Sequence, residues 1–140
     1  MGLVQFKLDG GKMPSQGYPT DSGWDLYTSE TATIPPHSFV DIPTGVSMSM
    51  PFRIWALLTG RSSAGRKFGI RIEQGVIDNE YTGELFVGVW NLYDKPIEIK
   101  ANTRLAQLIF FEVMPIIPQQ VDKLPETRRG SNGFGSTGTK

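Results

Sequence analysis

Apolar and polar positions in this chain alternate over short distances and never settle into a helical period. Runs of β-branched and aromatic residues, several alternating as half-buried strands do, recur between glycines and prolines. They predict strands over Val4 to Leu8, Gly23 to Tyr27, Thr31 to Ile34, Phe39 to Met48, Arg53 to Thr59, Ile70 to Ile72, Gly75 to Ile77, Glu84 to Tyr93, Ile97 to Ile99 and Arg104 to Val113. Only Ser62 to Lys67 reads as a helical turn, with Ser62 as its N-cap and Gly65 inside it. Strands this short, punctuated this often, favour a sandwich, jelly roll or closed barrel.

At 140 residues the chain fits one domain, with a core that needs neither metal nor disulfide. No internal repeat is visible. Pro115-Ile116-Ile117-Pro118 and Leu124-Pro125 suggest an extended arm that crosses to a neighbouring subunit. The expected organisation is a barrel domain over 1–125, with the arm from about 115, then a flexible glycine-rich tail over 126–140.

Composition removes several chemistries. There is no cysteine, hence no disulfide framework, thiol nucleophile or thiolate metal site, and the lone His37 rules out a multi-histidine metal cluster. Fourteen basic residues balance fourteen acidic ones, which argues against a broad nucleic-acid or anionic-membrane surface, so any phosphate binding is local. The N-terminus lacks a signal-like apolar run, and Phe6 stands where a myristoylation signal wants Ser or Thr. A soluble, intracellular protein is expected.

Five segments carry polar chemistry, and each has a plain structural reading beside the functional one. Asp25, in Asp21-Ser22-Gly23-Trp24-Asp25-Leu26-Tyr27, is flanked by residues that want burial and needs a partner: an arginine, a backbone amide or a hydrated metal. Arg61, Ser62 and Ser63 follow Gly60 at the start of the helical turn, where orphan amides make an anion site or Ser62 merely caps. Gly75-Val76-Ile77-Asp78-Asn79-Glu80-Tyr81-Thr82-Gly83-Glu84-Leu85 reads as a hairpin. At its tip Asp78 could orient a water and Tyr81 stack on a sugar, or Asp78 and Asn79 could simply form the turn. Gln107, in Arg104-Leu105-Ala106-Gln107-Leu108-Ile109, taken separately is most often just a polar residue on a strand's outer face. In the tail, Arg129 offers a planar fork, Gly135 and its neighbours backbone amides, Ser136 and Thr137 hydroxyls, and Phe134 a ring for stacking.

In this order and spacing, the five segments resemble the motifs of the trimeric dUTP diphosphatase (dUTPase) family from about Asp21 to Gly138. Thr33-Ile34-Pro35-Pro36, Ala106-Gln107-Leu108-Ile109 and the complete Arg129-Gly130 to Gly138 tail are included. The resemblance implies a distorted jelly-roll β-barrel in a homotrimer with exchanged C-terminal arms and active sites at the subunit interfaces. It implies Mg2+-dependent hydrolysis of dUTP to dUMP and pyrophosphate, which limits uracil incorporation into DNA and supplies dUMP for dTMP synthesis. Asp78 would activate the water that attacks the α-phosphorus. Gly75, Ile77, Tyr81 and Phe134 would hold uracil and deoxyribose, and Arg61, Ser62, Ser63, Gln107, Arg129, Gly135, Ser136 and Thr137 the phosphates. Asp25 would reach magnesium through water. No nucleic-acid or membrane partner is implied, and the location is cytoplasmic, or host-cell cytoplasm or nucleus for a virus-encoded chain.

Departures from the family pattern are Asp21 and Ser22 before Gly23, Gly60 in place of a proline, Ser63 in place of a glycine, and Asn102-Thr103 before Arg104. The related dCTP deaminases need a glutamate on the strand after the hairpin, where this chain has Gly88. A regulatory or structural module derived from a dUTPase is the other alternative.

Overall fold

The structure, a computed structural model, describes residues 2–63 and 69–133. The described residues form eleven strands and no helix: β1 (Gln5–Leu8), β2 (Trp24–Tyr27), β3 (Ala32–Ile34), β4 (Phe39–Pro43), β5 (Val46–Ser49), β6 (Ile54–Gly60), β7 (Ile70–Ile72), β8 (Gly75–Ile77), β9 (Phe86–Asn91), β10 (Ile97–Ile99) and β11 (Arg104–Glu112). All pairings are antiparallel, in sheets ordered β1-β5, β10-β3, β2-β11-β6-β8 and β4-β9-β7. The all-β expectation holds. Among the described residues no helix is long and apolar enough to cross a membrane.

Alternation sorts the faces. Ala56 and Leu58 of β6, Val87 and Val89 of β9, and Val46 and Met48 of β5 point into one buried apolar cluster with Leu26, Ile34, Ile42, Leu85, Ile99, Leu105 and Leu108. Among the described residues the buried polar side chains are Thr28, Thr44 and Asn91. Asn91 is wholly buried, donates through Nδ2 to the carbonyls of Ile34 (3.0 Å) and Lys95 (2.7 Å), and accepts from the Tyr93 amide (2.9 Å). It therefore ties the end of β3 to β9 and to the loop before β10.

The expected strand Phe39 to Met48 is two strands. Thr44 and Gly45 separate them, and Gly45 takes a φ of 65°. A Cβ there would lie 2.5 Å from the Gly11 nitrogen and 2.6 Å from the Asp9 carbonyl oxygen, so two backbone segments cross where only glycine fits. Thr44 holds the break by donating its hydroxyl to the Leu85 carbonyl at 2.6 Å. Ser62 and Ser63 lie in a turn; the rest of the expected helical turn falls on residues 64–68, outside the described residues. From Val113 to Gly133 the chain forms no strand and stays exposed throughout.

Candidate functional site

The four-stranded sheet builds the first cleft. Register sets Asp25 of β2 beside Gln107 of β11, and Gln107 beside Thr59 of β6, so the three share a row across the sheet. Arg61, two residues after Thr59, shares that face. Asp25 is fixed from both sides, since its backbone also exchanges hydrogen bonds with Ser15 on the strand's other edge. Its carboxylate, 16% exposed, forms an ion pair with Arg61, 3.0 Å from Nε, and lies 3.8 Å from Arg104 Nη1.

Arg61 also donates through Nη1 to the Arg104 carbonyl at 3.1 Å, which orients its guanidinium while leaving donors for an anion. Gln107 donates through Nε2 to the Gly60 carbonyl at 3.0 Å. Its Oε1 occupies the space a Cβ on Gly23 would fill, only 2.1 Å from that position, so the glycine makes room for the amide. Asp25, Arg61, Ser62 and Gln107 line one cavity of about 410 Å³ with Gly17, Tyr18, Asp21, Ser22, Gly23 and Arg104.

Tyr18 and Arg104 were missed by sequence reasoning. On a regular strand Arg104 and Gln107 would face opposite ways, but a bulge between Arg104 and Ala106 turns both toward the cavity. The sequence signal for Tyr18 is Gly17-Tyr18-Pro19-Thr20-Asp21, where Asp21 folds the turn by accepting the Tyr18 amide at 2.9 Å.

The second cleft lies at the turn after β8; the expected hairpin is not one, because β8 pairs with β6 and the returning strand β9 pairs with β4 and β7 in another sheet, so the segment turns a corner between sheets. Val76, Ile77, Asp78, Tyr81, Glu84, Leu85 and Phe86 line about 320 Å³, with Asp78 exposed at the turn. The Tyr81 amide donates to the Asp78 carbonyl, and its hydroxyl donates to the Glu84 carbonyl at 2.8 Å. Its ring lies across Gly83, where a Cβ would come 2.6 Å from the hydroxyl oxygen. Asn79, more than a turn former, donates through Nδ2 to the carbonyls of Pro51 and Ile54 at 2.8 Å each, anchoring the tip to the turn before β6.

The two clefts lie at opposite ends of β6. Ile77 faces Ala56 near its start, whereas Arg61 follows its last residue, about 16 Å further along at the ~3.3 Å per residue of an extended strand. Gly75, Ser63 and Arg129 line neither cleft. Arg129 curls onto its own segment, donating through Nε to the Asn132 carbonyl and through Nη2 to that of Gly133. Phe134, Gly135, Ser136 and Thr137 lie outside the described residues.

The model of the dUTPase family matches residues 9–138. The chain belongs to that family. A deoxyuridine 5'-triphosphate nucleotidohydrolase of Candida albicans is 38% identical over 137 residues, covering 96% of this chain and 86% of the relative. One of Saccharomyces cerevisiae is 35% identical over 136 residues, covering 96% and 92%. Among solved dUTPases, that of Staphylococcus bacteriophage 80alpha with dUPNHPP aligns at a TM-score of 0.90 and 28% identity, covering 98% of this chain and 99% of its own. A mutant dUTPase from phage phi11 of S. aureus, described with a structural Mg(II) ion, aligns at 0.80 and 26%, covering 89% and 99%.

A dUTPase must accommodate a polyanion, and the first cleft sets two arginines against two aspartates, so it brings no surplus positive charge. Among the described residues no group of three or more His, Cys, Asp or Glu is placed to cage a metal. Carboxylate and hydroxyl oxygens of Asp21, Asp25, Ser22 and Ser62 do suit Mg2+, which keeps several waters and takes further ligands from phosphates.

Proposed function

We propose that this chain hydrolyses dUTP to dUMP and pyrophosphate as a Mg2+-dependent homotrimer whose sites combine clefts from different copies. The observation that carries this reading is the carboxylate–arginine–glutamine cavity, in a chain that a dUTPase family model matches almost end to end. The separation of the clefts along β6 supports sharing between copies. So does the arm, where Ile117 is 94% exposed and Ile116 and Leu124 also lack cover.

Arg61, Ser62 and Gln107 hold the phosphate chain, with Arg61 fixed by Asp25 so that its remaining donors are aimed before substrate arrives. Asp25, through water, together with the substrate's phosphate oxygens, would hold Mg2+, which would supply the positive charge the first cleft lacks. Asp78 orients a water toward the α-phosphorus and takes its proton as the new P–O bond forms and pyrophosphate leaves. A positioned base of this kind contributes about 10²- to 10⁴-fold.

Gly75 and Ile77 present the backbone of β8 to uracil. Tyr81, pinned by Glu84 and Gly83, sets the wall that leaves no room for a 2′-hydroxyl. Arg129, Gly135, Ser136 and Thr137 close over the γ-phosphate, with Phe134 on the base.

Deamination fits poorly. The position where that chemistry needs a glutamate is Gly88, and a Cβ there would meet Phe39 Cζ at 2.7 Å and Glu73 Cβ at 3.0 Å, so a side chain must first displace the Phe39 ring. The test is pyrophosphate release from dUTP, dCTP, dTTP and UTP, with and without magnesium. Rapid release from dUTP alone, abolished by chelation, is expected; equal rates on UTP, or ammonia from dCTP, would overturn the reading.

A further inference from the structure

The chain has four asparagines. Asn79 is held by two carbonyls and Asn91 is buried among three, while Asn102 takes a φ of 63° and precedes the β-branched Thr103. Asn132 is exposed, as Asn102 is, but of the four it alone is followed by a glycine, Gly133. With no side chain on Gly133, and, beyond its chain neighbours, only the Ser131 carbonyl among the described residues within 4 Å of where one would stand, the Gly133 nitrogen is open to approach from Asn132.

That pairing is self-reactive. The Gly133 nitrogen attacks Asn132 Cγ, the Cγ–Nδ2 bond breaks, and the proton lost by the nitrogen leaves with ammonia. Water then opens the cyclic imide at either carbonyl, giving aspartate or isoaspartate.

We infer that Asn132–Gly133 is a spontaneous deamidation site whose conversion withdraws Arg129 from the nucleotide. The geometry explains the consequence. Arg129 donates to the carbonyls of these same two residues, at 2.6 Å and 3.0 Å. Aspartate adds an anion three residues from the guanidinium, competing with phosphate for it. Isoaspartate turns the residue-132 carbonyl that the fork now grips into a free carboxylate and lengthens the backbone by one atom through Cβ and Cγ. The effect on catalysis rests on the proposed role of the tail; the chemistry of the site does not.

The full-length protein is incubated at mildly alkaline pH and sampled over time. The tryptic peptide Gly130 to Lys140 is weighed by mass spectrometry, and KM for dUTP is measured on the same samples. Asn132 is expected to gain the amide-to-acid increment before the other three asparagines, with KM rising about tenfold on full conversion, as for loss of one charge-assisted contact. Asn132→Gln, whose longer side chain closes the ring far more slowly, keeps its starting KM through the same incubation. An unconverted Asn132 at a time when Asn79 or Asn91 has converted overturns the site, and full conversion at constant KM overturns its effect. Arg129→Ala separates the two ideas: a normal KM in that variant sinks the tail's role and leaves the mass result standing.

Discussion

Gly23→Ala probes the first cleft with a single methyl group. Built on the observed backbone, the new Cβ stands 2.1 Å from Gln107 Oε1 and 2.9 Å from its Cδ, and the cheapest escape is rotation of the glutamine. Rotation breaks the bond from Nε2 to the Gly60 carbonyl, costing about 0.5–1.5 kcal/mol. Gly23 is not among the residues with positive φ, so alanine recovers about 0.4–1 kcal/mol by restricting the unfolded chain. The two contributions nearly cancel, and the urea midpoint should barely move.

Function should move. A displaced Gln107 no longer faces the phosphates, and losing a hydrogen bond to a charged group, about 1.5–3 kcal/mol, lowers kcat/KM for dUTP roughly 10- to 100-fold. Steady-state pyrophosphate release measures this, and the decisive arm is the double variant. In a Gln107→Ala background the methyl meets no amide, so Gly23→Ala should add almost nothing. Normal kcat/KM in the single variant, or a full additive loss in the double, would refute the reasoning.

Three further outcomes follow from the second cleft and the tail. Asp78→Asn should bind dUTP normally by calorimetry yet lose about 10²- to 10⁴-fold in turnover; near-normal turnover would remove Asp78 from the chemistry. Asn79→Ala removes two hydrogen bonds, to the Pro51 and Ile54 carbonyls, and should cost about 1–3 kcal/mol in urea unfolding, with kcat falling more than KM rises; an unchanged midpoint would show that the turn after β8 needs no anchor. Truncation after Arg128 should leave the unfolding midpoint intact while turnover collapses, and a truncated chain with full activity would exclude any part for residues beyond it.

Strand positions were legible because alternation and glycine–proline punctuation report directly on a half-buried sheet, as in β9, where Val87 and Val89 point inward and Phe86 and Trp90 outward. The break at Thr44-Gly45 was not, since it depends on a backbone crossing with Gly11, a residue distant in sequence. In the first cleft, Asp25 announced itself as a carboxylate among residues that want burial, and the structure gives it Arg61. Arg104 was hidden by the bulge in β11, a change of facing that no periodicity reveals. Asn79 looked like a turn residue because its second task, reaching the Pro51–Ile54 turn, is a tertiary contact.

The placement of Asp78 and Arg61 at opposite ends of β6 has a genetic consequence. On the proposed division of labour, a copy crippled at Asp78 still carries a sound first cleft, and a copy crippled at Arg61 still carries a sound second one. Refolded together, Asp78→Asn and Arg61→Ala chains should complement each other: mixed assemblies regain some working sites although neither parent works alone. Intragenic rescue of this sort is open only to an enzyme that splits its catalytic duties between neighbours.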